Sequence, residues 1–271
     1  MRLSKLHATG NDFLVRLAED QHDVLDAVTV AALCDRHRGI GADGLITIGA
    51  GNEGHDCSML LQNADGGIAE MSGNGIRCLA WVAAANGLVR GDRLVVATGA
   101  GRRDVALRRD ATGAVVGATV DMGRATFEGS MTADIDGVTR VGDIVDVGNP
   151  HLVFLVDDPD AVALELLGPR LEHDPRFRER TNVELGAVRD ATTARMRVWE
   201  RGVGETLSCG TGVCATAAVM RRRGLVGDDL TMHVRGGVLQ VRLGDTVCLG
   251  GPVVHVFDVE IDRERLLASL R

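Results

Sequence analysis

Lysine is nearly absent from this chain: Lys5 is the only one among 271 residues. A pyridoxal-phosphate enzyme holds its cofactor as a Schiff base on a lysine. Lys5 falls in an expected first strand, ahead of any glycine-rich phosphate loop, and suits that role poorly. No GxGxxG opens a βαβ unit and no P-loop is present, which removes the usual nucleotide cradles. The six cysteines form neither a CxxC pair nor a Cys/His cluster of zinc spacing. No stretch of about 18 apolar residues offers a membrane span. The opening MRLSKLHATGNDF lacks the apolar run of a signal peptide. The expected location is therefore the cytoplasm, with free thiols. A net charge of −8 argues against nucleic acid as a partner, and Arg221-Arg222-Arg223 reads as the polar end of a helix. An enzyme of this composition is expected to work with neither an organic cofactor nor a metal.

What the chain does contain is a repeat. MSGNGIRCLA places Ser72 before Gly73, Asn74 and Gly75, and SCGTGVCATA places Cys209 before Gly210, Thr211 and Gly212. A Gly-Asn unit precedes each, at Gly10-Asn11 and at Gly148-Asn149, and the separations are 61 and 60 residues. Two homologous lobes follow from this, and 271 residues suffice for two ordinary cores. Strands are expected at Leu3–Leu6, Phe13–Arg16, Leu45–Ile48, Ser58–Gln62, Leu94–Thr98, Val105–Arg108 and Val115–Asp121. In the second half they are expected at Leu152–Val156, Met196–Glu200, Thr231–Val234, Leu239–Leu243, Thr246–Leu249 and Val253–Val259. Helical spacing covers Asp26–Arg36, with Val28, Ala31, Ala32 and Leu33 inward, and also Ile76–Ala85, Asp160–Leu171, Val213–Arg223 and Asp262–Leu270. The lobe boundary is expected between Asp110 and Asp121. This gives lobes of residues 1–115 and 116–259, with 260–271 able to pack back on the first.

Ser72 and Cys209 each stand just before a glycine-rich helix start. Such a terminus carries unpaired N–H groups and partial positive charge. It is expected to bring a thiol down from about 8.5 toward neutrality and to bind a carboxylate. Two termini in matching places of a repeat can hold one substrate from both sides, with a proton carrier on each face of a carbon. Glu200 and Arg201, at a strand end, are expected to meet the charged ends of a zwitterion, and His151 is placed to tune a thiol.

The motifs HATGNDF, RGIGADGL, NADG, GNGIRC, GNPH, ERTNVE and ERGVGETLSCGTG resemble, in order, those of the diaminopimelate epimerases. The resemblance implies an α/β chain of the α+β type. It has two pseudo-symmetric lobes, each a twisted, mainly antiparallel sheet wrapped around a central helix, with the active site in the cleft between them. It also implies a pyridoxal-phosphate-independent isomerase, often a homodimer, that interconverts LL- and meso-diaminopimelate on the way to lysine and peptidoglycan. Asn11, Asn63, Asn149 and Asn182 match its substrate-binding asparagines. Gly73, Asn74, Gly210 and Thr211 match the groups that hold the α-carboxylate. Glu200 and Arg201 match its substrate-binding pair, His151 and Glu200 its thiol-tuning residues, and Cys209 its proton-accepting thiol. One family position, a glutamine in some members, is Gly44. The departure is Ser72, where the family pattern has a second cysteine. A serine hydroxyl is a far weaker acid than a thiol, so slowed two-face epimerisation, one-base elimination from a hydroxy amino acid, and binding alone are all compatible with it.

Overall fold

In the computed structural model, which describes residues 1–18, 23–52 and 54–268, short strands alternate with two buried helices of 13 residues each. Contacts divide the chain into one unit of residues 1–120 and 251–271 and another of residues 121–250.

The first unit opens with the antiparallel pair β1 (Arg2–Ala8) and β2 (Asn11–Leu17). Helix α1 (Ala27–Cys34) leads to β3 (Gly44–Ala50), parallel to β2. Strand β4 (Cys57–Asn63) returns antiparallel and a short β5 (Ile68–Ala69) folds onto it. Helix α2 (Gly73–Ala85) then crosses to β6 (Arg93–Thr98), parallel to β4. Strands β7 (Gly101–Arg109) and β8 (Val115–Asp121) complete an antiparallel meander.

The second unit repeats this plan. Strands β9 (Thr126–Ile135), β10 (Val138–Asp146) and β11 (Pro150–Leu155) are antiparallel. Helix α3 (Leu164–Glu172) leads to β12 (Asn182–Asp190), parallel to β11. Strand β13 (Thr193–Glu200) returns with a short β14 (Gly204–Thr206) on it. Helix α4 (Gly210–Arg222) crosses to β15 (Asp229–Val234), parallel to β13, and β16 (Gly237–Leu243) and β17 (Val247–Pro252) follow. Each parallel pair is thus joined by a crossover, as parallel pairing requires. Every residue of α4 from Gly210 to Met220 is buried, and α2 is buried nearly as fully. Both are core helices, mostly apolar or small, and α2 also buries Asn74 and Arg77. Both also end on a glycine at φ +72°, Gly87 and Gly224.

The limits of the second lobe need correction. The strand Val254–Glu260, expected in the second lobe, pairs antiparallel with β1 in the first unit. It fills the edge of β1 that β9 fills for β10, so one unit borrows from the chain's end what the other takes from its beginning. The C-terminal helix Arg263–Ala268 follows it into the first unit, with Leu266 against the core of Val30 and Leu33. Residues 269–271 lie outside the described residues.

Helix α1 is shorter than expected and turned. Asp26 caps it by accepting the Thr29 N–H at 2.8 Å, Val28 is 66% exposed, and Val30 is buried instead. The expected helix Asp160–Leu171 divides into a 3-10 turn, Pro159–Ala161, and α3. Strands β9, β10 and β12 have no counterpart in the sequence reading. All three carry an internal glycine, and β9 and β10 also a polar outer face, which weakens the strand pattern.

Candidate active site

Ser72 and Cys209 occupy the same structural position in their units. Each is the N-cap of its core helix in an extended conformation, at φ −137°, ψ 122° and φ −116°, ψ 114°. The Gly75 N–H donates to Ser72 Oγ at 3.0 Å, and the Gly212 N–H donates to Cys209 Sγ at 3.4 Å. Intrahelical bonding begins with Ile76 to the Ser72 carbonyl and Val213 to the Cys209 carbonyl. The first-turn donors therefore precede the helical ladder, and the dipole's positive end lies at the hydroxyl and the thiol.

In the first unit the turn between β1 and β2 reaches this helix start. Gly10, at φ +84°, makes the turn, as Gly148 does at φ +88° between β10 and β11; a side chain would strain both. Asn11 beside it accepts from Asn74 Nδ2 at 3.2 Å and donates to Asp43 Oδ2 at 2.7 Å. Asn74 Oδ1 in turn accepts from the buried Arg77 at 2.7 Å. The chain Asp43–Asn11–Asn74 thus joins three sequence motifs at the start of α2. Asn63 ends β4, exposed, in the turn closed by the Gly66 N–H to its carbonyl. Gly44 faces backbone: a Cβ there would lie 2.6 Å from the Gln62 carbonyl oxygen. Lys5 is buried on β1 and donates to Asp12 and to the Gly41 carbonyl. The one lysine is a structural ion pair.

In the second unit His151 is fully buried between two partners, Glu184 Oε1 at 2.7 Å from Nδ1 and Asn149 Oδ1 at 2.9 Å from Nε2. The ring thereby holds the Asn149 carboxamide by its oxygen. Glu184 lies under the start of α4, where a Cβ on Gly212 would meet its Oε1 at 2.6 Å. Burial holds the Glu184 carboxyl above its ordinary range, against the pull of His151. Asn182 is tied at both ends, donating to the Pro150 carbonyl and accepting the Arg201 N–H, each at 2.9 Å. The Arg201 guanidinium donates to the Glu179 carbonyl at 3.1 Å. Glu200 and Arg201, adjacent in sequence, have different partners: the Glu200 carboxyl accepts from the Thr206 hydroxyl and from the Cys209 thiol.

The expectation of a thiol near neutrality is overturned. Burial raises the Cys209 thiol well above its ordinary value, and the carboxyls of Glu200 and Glu184 raise it further. The Thr211 hydroxyl at 3.4 Å and the Gly212 N–H pull the other way and lose. A helix terminus is worth about 1 kcal/mol, less than desolvation together with two acids. Burial also pushes Glu200 up to about 7, against the hydrogen bonds from Thr206 and Cys209. The thiol therefore rests protonated beside the raised Glu200 carboxyl.

Glu184, Asp43 and Thr206 were not singled out from the sequence. Glu184 was reachable, because period two along β12 puts it on the same face as Asn182. Asp43 depends on a partner 32 residues away, whereas Thr206 meets Glu200 across the local β13–β14 hairpin.

Comparison with known proteins decides what this arrangement belongs to. The family model for diaminopimelate epimerase matches residues 3–128 and 144–255. The chain belongs to the diaminopimelate epimerase family. It is 39% identical to the diaminopimelate epimerase of Sphingopyxis alaskensis over 96% of this chain and 97% of that one. It is also 39% identical to that of Moorella thermoacetica, over 95% and 98%. Among solved structures, a hydroxyproline epimerase from Agrobacterium vitis matches with a TM-score of 0.74 at 15% identity, covering 96% of this chain and 90% of that one. A PhzF-family phenazine biosynthesis protein from Bacillus anthracis matches equally well, with a TM-score of 0.74 at 14% identity and coverage of 96% and 98%. These last two are likenesses of fold. Family membership makes the chain an isomerase, an epimerase of amino acids. Among the described residues no helix is long and apolar enough to cross a membrane.

Proposed function

We propose that this protein interconverts LL- and meso-diaminopimelate by moving the proton of one α-carbon through Cys209. The observation that carries this reading is the thiol capping α4 next to a carboxyl raised to about 7. In one direction the ionised Glu200 takes the thiol proton as the sulfur takes the substrate's. In the other, both protons return. An incoming α-ammonium group stabilises the ionised forms of both, offsetting the repulsion that holds the free thiol protonated. The α-carboxylate is held by the backbone N–H groups at Gly73, Asn74, Gly210 and Thr211, where negative charge grows as the proton leaves. Donors aimed there are worth about 3–4 kcal/mol each in comparable sites. Asn11, Asn63, Asn149, Asn182 and Arg201 bind the rest of the substrate, and His151 with Glu184 orients Asn149.

On the opposite face Ser72 stands where the family has a thiol. Its hydroxyl, or a water behind it, delivers the second proton slowly, so turnover is lower than a two-thiol site gives by about 10²–10⁴-fold. By detailed balance both directions slow equally. We place the protein in the cytoplasm, as a homodimer serving lysine biosynthesis. Chiral chromatography of LL-diaminopimelate incubated with the purified protein tests the reaction. Appearance of the meso isomer supports it, whereas recovery of unchanged LL isomer after days, or release of a keto acid from a hydroxy amino acid instead, rejects it.

A further inference from the structure

Glu172 ends α3 and is only 3% exposed. Its Oε2 accepts the Trp199 indole N–H at 2.7 Å. Its Oε1 accepts the Gly202 backbone N–H at 2.9 Å and lies 3.4 Å from Arg180. Trp199 and Gly202 bracket Glu200 and Arg201, so one carboxylate grips both ends of the turn that bears them. Helix α3 seats the indole closely, since a Cβ on Gly168 would come within 2.4 Å of it. From the other side the Arg201 N–H is held by Asn182. Both N–H groups need an acceptor, and a carboxamide in place of the carboxylate would turn its own NH2 on one of them. A nearly buried carboxylate carries a desolvation cost that an apolar residue would not.

We propose that Glu172 is a positioning residue for the epimerisation, fixing the Trp199–Gly202 turn so that Glu200 meets Cys209 and Arg201 keeps its place beside it. This rests on the reading of Cys209 and Glu200 as the proton-moving pair. Nothing in the sequence announces it, because Glu172 lies 28 residues before Glu200 on another element.

The test compares the full-length parent with Glu172→Gln, Trp199→Phe and Glu200→Gln. Iodoacetamide labelling across neutral pH, read site by site from fragment ions by tandem mass spectrometry, gives the rate at Cys209 relative to Cys214, which is buried inside α4. Glu172→Gln is expected to shift the Cys209 rate about tenfold toward the Glu200→Gln profile, a modest share of what a displacement of about 1 Å can cost a site. Cys214 should stay at the parent's rate. Trp199→Phe, which removes one of the two grips and leaves the carboxylate, is expected to move Cys209 in the same direction by less, and serves if the first variant does not fold. A Cys209 profile identical to the parent's in the folded variants, or Cys209 and Cys214 rising together, would overturn the proposal. Kinetics with LL-diaminopimelate separate the two claims. A parent without turnover, with labelling as expected, rejects the substrate and keeps the positioning role. A parent with turnover and variants of unchanged labelling, KM and kcat rejects the positioning role alone.

Discussion

Gly75 and Gly212 hold the same place in the two halves of the repeat, the third residue of each core helix, yet alanine should affect them very differently. A Cβ on Gly212 would sit 2.6 Å from Glu184 Oε1 and 3.3 Å from its Cγ and Cδ. Glu184 has no room to yield: it is fully buried and held 2.7 Å from His151. The methyl must displace either the helix start or the carboxyl. Overpacking costs about 1–3 kcal/mol, and a broken buried hydrogen bond adds about as much. The better helix propensity of alanine returns at most about 1 kcal/mol. A net loss of about 2–4 kcal/mol is expected for Gly212→Ala. A Cβ on Gly75 would first meet Ile46 Cδ1 at 2.9 Å, the far end of a flexible side chain, and then Ser72 Cβ at 3.2 Å. Gly75→Ala should therefore cost no more than about 1 kcal/mol. Denaturant midpoints of the two variants measure the difference. If they lost equal stability, or if Gly212→Ala were neutral, the packing of Glu184 beneath α4 would be wrong.

Ser72→Cys should restore a second acid–base group and raise turnover in both directions by about 10²-fold or more; steady-state rates from LL and meso substrate show whether both rise together, and unchanged rates would remove the argument about the missing thiol. Glu200 is raised in the folded protein to about 7 from 4.5, so the native state holds the extra proton between those values and stability falls as pH rises through that window, by at most about 3 kcal/mol. Glu200→Gln should flatten that slope in pH-dependent melting and erase the rise in activity near neutrality; a slope as steep as the parent's would contradict the assignment. Asp12 is the opposite case: the hydrogen bonds from Arg36 and Lys5 outweigh its burial and hold it down at about 2, so its contribution is present above 3.8 and lost as pH falls through about 2. Lys5→Met should cost about 2–3 kcal/mol and move acid unfolding to higher pH, without abolishing activity, which a cofactor-bearing lysine would not permit.

The repeat was legible because its signals are local. A capping residue followed by glycines and a small-residue helix appears twice at nearly equal distances, and both core helices start where those residues stand. Strands rich in valine and leucine were equally visible. The closing strand Val254–Glu260 looked like part of the second half because it is contiguous with it, and only the unfilled edge of β1 explains its place in the first. Strands β9 and β10 turn a polar face outward and carry glycines, which hid them. At the site, the glycine-rich starts showed where a thiol and a hydroxyl would stand, but not the proton balance between them and their neighbours. The direction of the Cys209 shift is set first by the thiol's burial and then by Glu200 and Glu184, and burial is a product of the packed fold. The grip of Glu172 on the turn at Glu200 likewise depends on α3 packing against Trp199.

The most direct test follows the substrate's α-hydrogens by proton NMR, with LL-diaminopimelate and the protein in D₂O, for the parent and for Cys209→Ala. The parent should lose one α-proton signal as deuterium enters and the meso isomer appears, and Cys209→Ala should leave the signals intact over the same time. Deuterium entering as fast without the sulfur would mean that another group moves the proton.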